Sequence, residues 1–251
     1  MFRMLFIILT LLLIVFDLSH AKCNLDVRKD IPENARKYLP TMYEEVYRLI
    51  GKDFKYPYYF GSLIEHESCI SLCWKRCWNP KARLKTKREE GAGLAQLTRV
   101  WKKNGKLRFD IIKTLKRRYR KELNELSWNN VYNRPDLQIR AMLLLWKGNW
   151  YKFSKNINDY NRLAMSDASY NQGYYRTYRD RMLCKMTKNC NPNKWFGNVE
   201  RTCTASHKPL YGRRSPCDIS RHHVYDVLKV RLMKYKKDWL INDRYLFVKS
   251  D

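Results

Sequence analysis

Glu67 is the residue whose placement could do chemistry. Phe60, Leu63, Ile64 and Glu67 follow the i, i+3, i+4, i+7 spacing of one helix face, which sets the carboxylate on an apolar stripe and points Glu65 elsewhere. Removing water from a carboxylate disfavours its charged form. A carboxyl so placed keeps its proton toward neutral pH, which suits a general acid. The same placement also suits a structural carboxylate that caps a loop. Downstream, Gly91-Ala92-Gly93-Leu94-Ala95-Gln96 is a glycine-punctuated run that reads as a wall of the same site. Between the two lie Cys69, Cys73, Cys77 and a turn at Asn79-Pro80.

Other chemistries lack their residues. There is no GxSxG elbow, no phosphate loop and no HExxH pair. His66, His207, His222 and His223 are scattered and read as surface or hydrogen-bonded histidines, not metal ligands. Cys69-x3-Cys73-x3-Cys77 lacks the second pair of a zinc site. Gly91-x-Gly93 lacks the third glycine of a dinucleotide fingerprint. No second acid sits close behind Glu67; Glu89 and Glu90, just before the glycine run, read as solvated loop acids.

The elements that must position Glu67 are mostly helical. The chain has 251 residues, 45% of them hydrophobic, enough for one core. Helices are predicted over residues 32–51, from Tyr56-Pro57 through Glu67, over 107–126, from Pro135 to about Phe153, over 161–170, over 174–186 and over 218–245. Ala35, Leu39, Met42 and Val46 face the core in the first. Phe109, Ile111, Ile112, Leu115, Tyr119 and Leu123 are the expected core contacts of the basic helix at 107–126. Residues 98–108 read as a loop turning at Asn104-Gly105, and 189–215 as loop. The expectation is one mainly α domain, with one or two short strands after Asn79.

Residues 1–21 have a basic Arg3, an apolar run from Met4 to Phe16 and small residues before Lys22, the pattern of a cleaved signal peptide. A retained membrane anchor is the alternative. All 8 cysteines follow this segment, so export predicts disulfides; the sequence leaves their pairing open, with a local Cys184–Cys190 closure as one candidate. The formal charge of +27 seeks polyanions, and export turns that preference away from nucleic acid toward an anionic membrane or wall polymer.

Four patterns occur in order: Glu67-Ser68, Asn79-Pro80-Lys81-Ala82, Gly93-Leu94-Ala95-Gln96 and Ser169-Tyr170-Asn171-Gln172-Gly173. Together they resemble the catalytic domain of the soluble lytic transglycosylases, whose patterns run ES, NPxA, GxxGLMQ and AYNxG. The similarity spans roughly residues 56–235. The segment with Cys184, Trp195-Phe196-Gly197-Asn198-Val199-Glu200 and Tyr211-Gly212 is similar to a cysteine-bearing subgroup of phage, prophage and proteobacterial chains. The resemblance implies a lysozyme-like, mainly α fold of the α+β kind, with a substrate groove over residues 56–245 behind an N-terminal helical extension at 22–55.

It also implies roles. Glu67 matches the catalytic acid/base and Ser68 the serine that steadies it. Gly93, Leu94, Ala95 and Gln96 match the segment lining the groove beside the acid, with Ala95 for the usual methionine. Tyr170 and Asn171 match the far side of the groove, which holds the N-acetyl sugar. The family's closing tyrosine, which touches the glutamate, falls on His223; Tyr225 would point about 200° around the helix. A charged His223 would favour ionised Glu67. Hydrolytic glycosidases ordinarily use two carboxylates; the family uses one. Its glutamate protonates the bond between N-acetylmuramic acid and N-acetylglucosamine, then takes a proton from the 6-hydroxyl to close a 1,6-anhydro ring. No metal or organic cofactor is implied. The expected protein is a monomer of the periplasm or exterior whose partner is the glycan strand of peptidoglycan. A hydrolytic muramidase and a non-catalytic wall-binding protein are the alternatives.

Overall fold

A computed structural model describes residues 26–69, 76–210 and 212–246. The expected signal peptide, Cys23, Cys73 and Tyr211 lie outside the described residues.

Helix α1 (Glu33–Leu49) buries Ala35, Leu39, Met42, Val46 and Leu49 along one stripe, and the chain leaves it at Gly51. Helix α2 (Tyr59–Ser68) differs: eight of its ten residues are buried, so it is enclosed nearly all round. Tyr235 packs directly on its backbone at Gly61, where an added Cβ would lie 2.5 Å from the ring. That close approach is why a helix this short can be central.

A four-stranded antiparallel sheet follows: β1 (Arg83–Lys85), β2 (Glu89–Ala92), β3 (Leu97–Trp101) and β4 (Leu107–Asp110), paired in that order. This corrects the reading of a loop over 98–108 and a helix from Leu107. Leu97-Thr98-Arg99-Val100-Trp101 is rich in β-branched and aromatic residues, and it pairs with β4 around the Asn104-Gly105 turn. Phe109 therefore stands on a strand and is 43% exposed, not in the core. The helix starts only at α3 (Ile111–Arg118), capped by the Asp110 carboxylate, which accepts from Lys113 N at 2.9 Å. A short turn of helix, α4 (Arg120–Leu123), completes this basic segment.

The centre of the molecule is α5 (Pro135–Trp150), with proline in its first turn; it packs on α1 and on α6 (Asp159–Gln172). Helix α7 (Tyr174–Met186) follows Gly173. The loop-rich stretch to Ser215 is braced by disulfides Cys184–Cys190 and Cys203–Cys217, and by buried Asp180, which accepts from Thr204, Gln172 and Arg221. Cys69 is joined to Cys77. Helix α8 (Pro216–Tyr225) opens with a reciprocal Ser215/Asp218 capping box, passes through a π-helical turn (Asp226–Arg231) and continues as α9 (Leu232–Leu246). The wider π turn brings residues five apart onto one side, and Arg231 Nε reaches Asp226 Oδ2 at 2.5 Å. Among the described residues, no helix is long and apolar enough to cross a membrane.

Candidate active site

A groove of about 360 Å³ is lined by Glu67 and His66 from α2, Leu84 from β1, Glu89 and Gly91 from β2, Gln96 and Thr98, Tyr170 and Asn171 from the end of α6, and His223 from α8. Glu67 faces it with 14% of its side chain exposed. Residues separated by more than 150 positions thus meet in one place. Two larger depressions lie elsewhere and are lined by a mixture of lysines and arginines, aspartates and apolar residues.

The helical phase that separated Glu65 from Glu67 is overturned. Glu65 is the fully buried acid: Tyr235 donates to it at 2.5 Å, Lys234 Nζ lies at 2.8 Å and Arg231 completes the ring. Trp78 Nε1 donates to the same Tyr235 hydroxyl at 2.7 Å. Because α2 is enclosed on nearly every side, periodicity could not tell a core acid from a groove acid.

Glu67 has a different partner. His223 Nε2 lies 2.8 Å from Glu67 Oε1, and His223 Nδ1 lies 3.0 Å from Asp167 Oδ2. Tyr59 donates to the other oxygen of Asp167 at 2.5 Å. His223 and Asp167 are both buried. Burial alone would push the imidazole pKa down. The Asp167 charge and hydrogen bond, helped by Glu67, outweigh it and raise it to about 10.

Three of the four described histidines come together, while His207 lies beside Cys217. The His66 ring meets His223 at 4.4 Å and His222 at 6.3 Å, and His66 Nδ1 lies 2.5 Å from Asp226 Oδ2. Burial works to raise the Asp226 pKa, but the His66 hydrogen bond and the Arg231 charge hold it well below the carboxylate range.

The glycine run forms a support more than a wall. Gly93–Ala95 is a buried turn of 3-10 helix. Gly93 has φ +70°, and a Cβ there would fall 2.1 Å from Gln138 Oε1, so only glycine fits. That oxygen accepts from Leu94 N at 2.7 Å. Gln96, the residue that follows the turn, lines the groove with φ +43°, a left-handed conformation uncommon for glutamine and held by its side chain donating to Gly93 O. Tyr170 donates to Ala95 O at 2.6 Å and so ties α6 to this turn across the groove. Burial, with the Glu67 and Asp167 charges, raises the Tyr170 pKa well above 10, which keeps the phenol a donor.

Of the residues expected in the site, Glu67, Gln96, Tyr170, Asn171 and His223 line the groove; Gly93, Leu94 and Ala95 lie beneath it. Ser68 does not reach Glu67. Its hydroxyl donates to Ile64 O at 2.6 Å and accepts from Trp78 N at 2.9 Å, pinning the chain after α2. Glu89 and Glu90 are strand residues, not solvated loop acids. Glu90 is buried between Arg83 and Arg99, each at 2.7 Å, and Tyr132. Glu89 lines the groove. Asp167, His66 and Glu89 were missed. Asp167 was the most legible of these, since it stands three and four residues before Tyr170 and Asn171 and so shares their helix face. Among the described residues, Cys203, His207 and Cys217 are the one group close enough to share a metal ion, and the two cysteines are bonded to each other.

The chain matches no protein-family model and no curated protein sequence.

Proposed function

We propose that this protein is an exported, lysozyme-like enzyme that cuts the glycan strands of peptidoglycan as a lytic transglycosylase. One observation carries the reading: Glu67, from the most enclosed helix, meets Gln96, Tyr170 and Asn171 in a single groove. These are the motif residues whose resemblance implies that chemistry, and they come from three distant parts of the chain. Glu67 gives a proton to the oxygen between N-acetylmuramic acid and N-acetylglucosamine. It then takes one from the muramyl 6-hydroxyl as the 1,6-anhydro ring closes. Asn171 and the backbone around Gln96 supply amide groups that suit an N-acetyl sugar. The disulfides support an oxidising compartment, the periplasm or the exterior. The basic surface supports adhesion to an anionic wall polymer or membrane.

Glu89 favours a second reading. It is a carboxylate on the sheet side of the groove, and a base placed there would activate water and make the enzyme a hydrolytic muramidase. Digestion of purified sacculi with mass analysis separates the two. Anhydromuropeptides that vanish in Glu67→Gln and persist in Glu89→Gln support the transglycosylase. Reducing-end muropeptides that vanish in both variants support the hydrolase. Sacculi that are bound and never cut leave only a wall-binding protein.

A further inference from the structure

Glu67 must lose a proton in one step and regain it in another, yet it sits beside His223. The geometry narrows the states open to that histidine. Its Nδ1 faces a carboxylate oxygen of Asp167 and its Nε2 faces a carboxylate oxygen of Glu67, both within hydrogen-bond distance. A neutral imidazole has one N–H and one lone pair. With both carboxylates ionised, either neutral tautomer would aim its lone pair at a carboxylate oxygen in a buried place. Two arrangements satisfy both contacts: a doubly protonated ring between two carboxylates, or an Nδ1–H ring whose Nε2 accepts from a protonated Glu67. In each, Nδ1–H stays on Asp167 and one proton is shared between Nε2 and Oε1. With the imidazole pKa raised to about 10, that proton rests on His223.

We infer that Asp167 and His223 form a proton-holding relay behind Glu67, in which His223 loads the acid and Asp167 positions and charges His223. The inference rests on the reading of Glu67 as the acid of this site. A sugar filling the groove strips water from Glu67, and loss of water favours a neutral pair over an ion pair. The proton then crosses from Nε2 to Oε1. Glu67 delivers it to the glycosidic oxygen, which keeps the electron pair of the breaking C–O bond. The carboxylate next takes the proton of the 6-hydroxyl as that oxygen bonds to the anomeric carbon. This proton returns to Nε2, so none is consumed over the cycle. Throughout, Nδ1–H stays on Asp167, whose second oxygen is held by Tyr59.

The surroundings are consistent with a held proton. Facing His223 from α2 are Glu67 and the edge of His66; from α6, Asp167, with the neutral phenol of Tyr170 close to the two carboxylates. On its own helix, His222 lies alongside, and Asp226 is occupied by His66 and Arg231. Two carboxylates thus face the ring directly. The imidazole stays charged to about pH 10, well above the range of a lone glutamic acid.

The test reads pH rather than activity alone. Nitrogen-15 histidine NMR on the wild-type protein should show both nitrogens of His223 protonated through pH 8; a neutral ring at that pH overturns the relay. Release of muropeptides by wild type should hold to about pH 9. In Asp167→Asn the alkaline limb should move down by at least about one unit, a loss relative to wild type that approaches about tenfold well above the limb. In His223→Gln it should fall into the carboxylate range. Product release whose alkaline limb is the same in all three proteins overturns the relay and leaves the proposed reaction standing. A wild type that releases no product at any pH overturns the proposed reaction, while the NMR still decides where the proton rests. If His223→Gln fails to fold, Asp167→Asn and the wild-type spectrum decide the matter.

Discussion

Glu65 and Glu67 stand two residues apart on α2 and are held by different charged networks. Glu65 is sealed from water by Arg231, Lys234 and Tyr235, while Glu67 reaches the groove with His223 at its back. The networks touch through the edge-on contact of His66 and His223, since His66 shares Asp226 with Arg231. One acid fastens α2 to α9, and the other is presented by the helix so fastened.

The two acids should therefore fail differently. Glu65→Ala leaves Arg231 and Lys234 buried without their shared carboxylate, and breaking a buried pair in this way costs about 3–5 kcal/mol. Denaturant unfolding should show that loss. Glu67→Gln keeps an acceptor oxygen for His223 Nε2, so it should cost less stability than Glu65→Ala while lowering product release by about a hundredfold or more, the span of a general acid. Equal destabilisation by both would remove the distinction between them.

Stability should fall on both sides of neutrality. His223 has its pKa raised from 6.5 to about 10, so its contribution is complete below 6.5 and is lost as pH rises through 10. That loss is on the order of a few kcal/mol. Asp226 has its pKa lowered, so its contribution is present above its unfolded value of 3.8 and is lost as pH falls below that. Melting temperatures taken from pH 3 to pH 10.5 should trace a dome, and Asp167→Asn should flatten its alkaline side. An alkaline side unchanged by that substitution would contradict the assignment.

Helix α1 was legible because it buries a stripe at the helical period through Ala35, Leu39, Met42 and Val46, and the bounds of α5 and α6 because Pro135 presets the first turn and Gly173 takes the φ +88° that ends a helix. The sheet was not. Its strands are three to five residues long, and β1 and β4 are exposed along most of their length, so no apolar alternation identifies them. In the site, Glu67, Gln96, Tyr170 and Asn171 were recoverable as a motif set. The charge network was not, because Asp167, Asp226 and His66 acquire their meaning from partners far along the chain. Helical phase failed at Glu65 for a physical reason: a helix buried on all sides has no outward face to which an acid can be assigned.

Gly93 is a point where backbone and site are coupled. Gly93→Ala places a methyl where Gln138 Oε1 now sits and forces an L side chain to φ +70°. Gln138 also donates to Pro80 O at 3.0 Å and Val131 O at 2.5 Å, so displacing it loosens three chain segments at once. The backbone strain alone is worth about 1–3 kcal/mol. A melting temperature within experimental error of wild type would show that the turn relaxes freely. Gln138→Ala is the companion variant, expected to destabilise without the backbone strain.

The basic surface should act separately from the groove. Residues 99–121 carry eleven Lys or Arg against one acid, Asp110. That acid is already engaged, capping α3 and accepting from Trp128 Nε1 at 3.0 Å. Lys102, Lys103, Lys106 and Arg108 are exposed toward the turn of the β3–β4 hairpin, while the hairpin residue that lines the groove, Thr98, lies at the other end of β3. Exchanging these four for glutamine should weaken retention on sacculi by about fivefold or more at low salt, and the difference should shrink as added salt screens the charges. Turnover of short soluble glycan fragments should be unchanged, because they fill the groove without reaching the turn of the hairpin. A parallel loss on fragments and sacculi would place that turn within the substrate path instead.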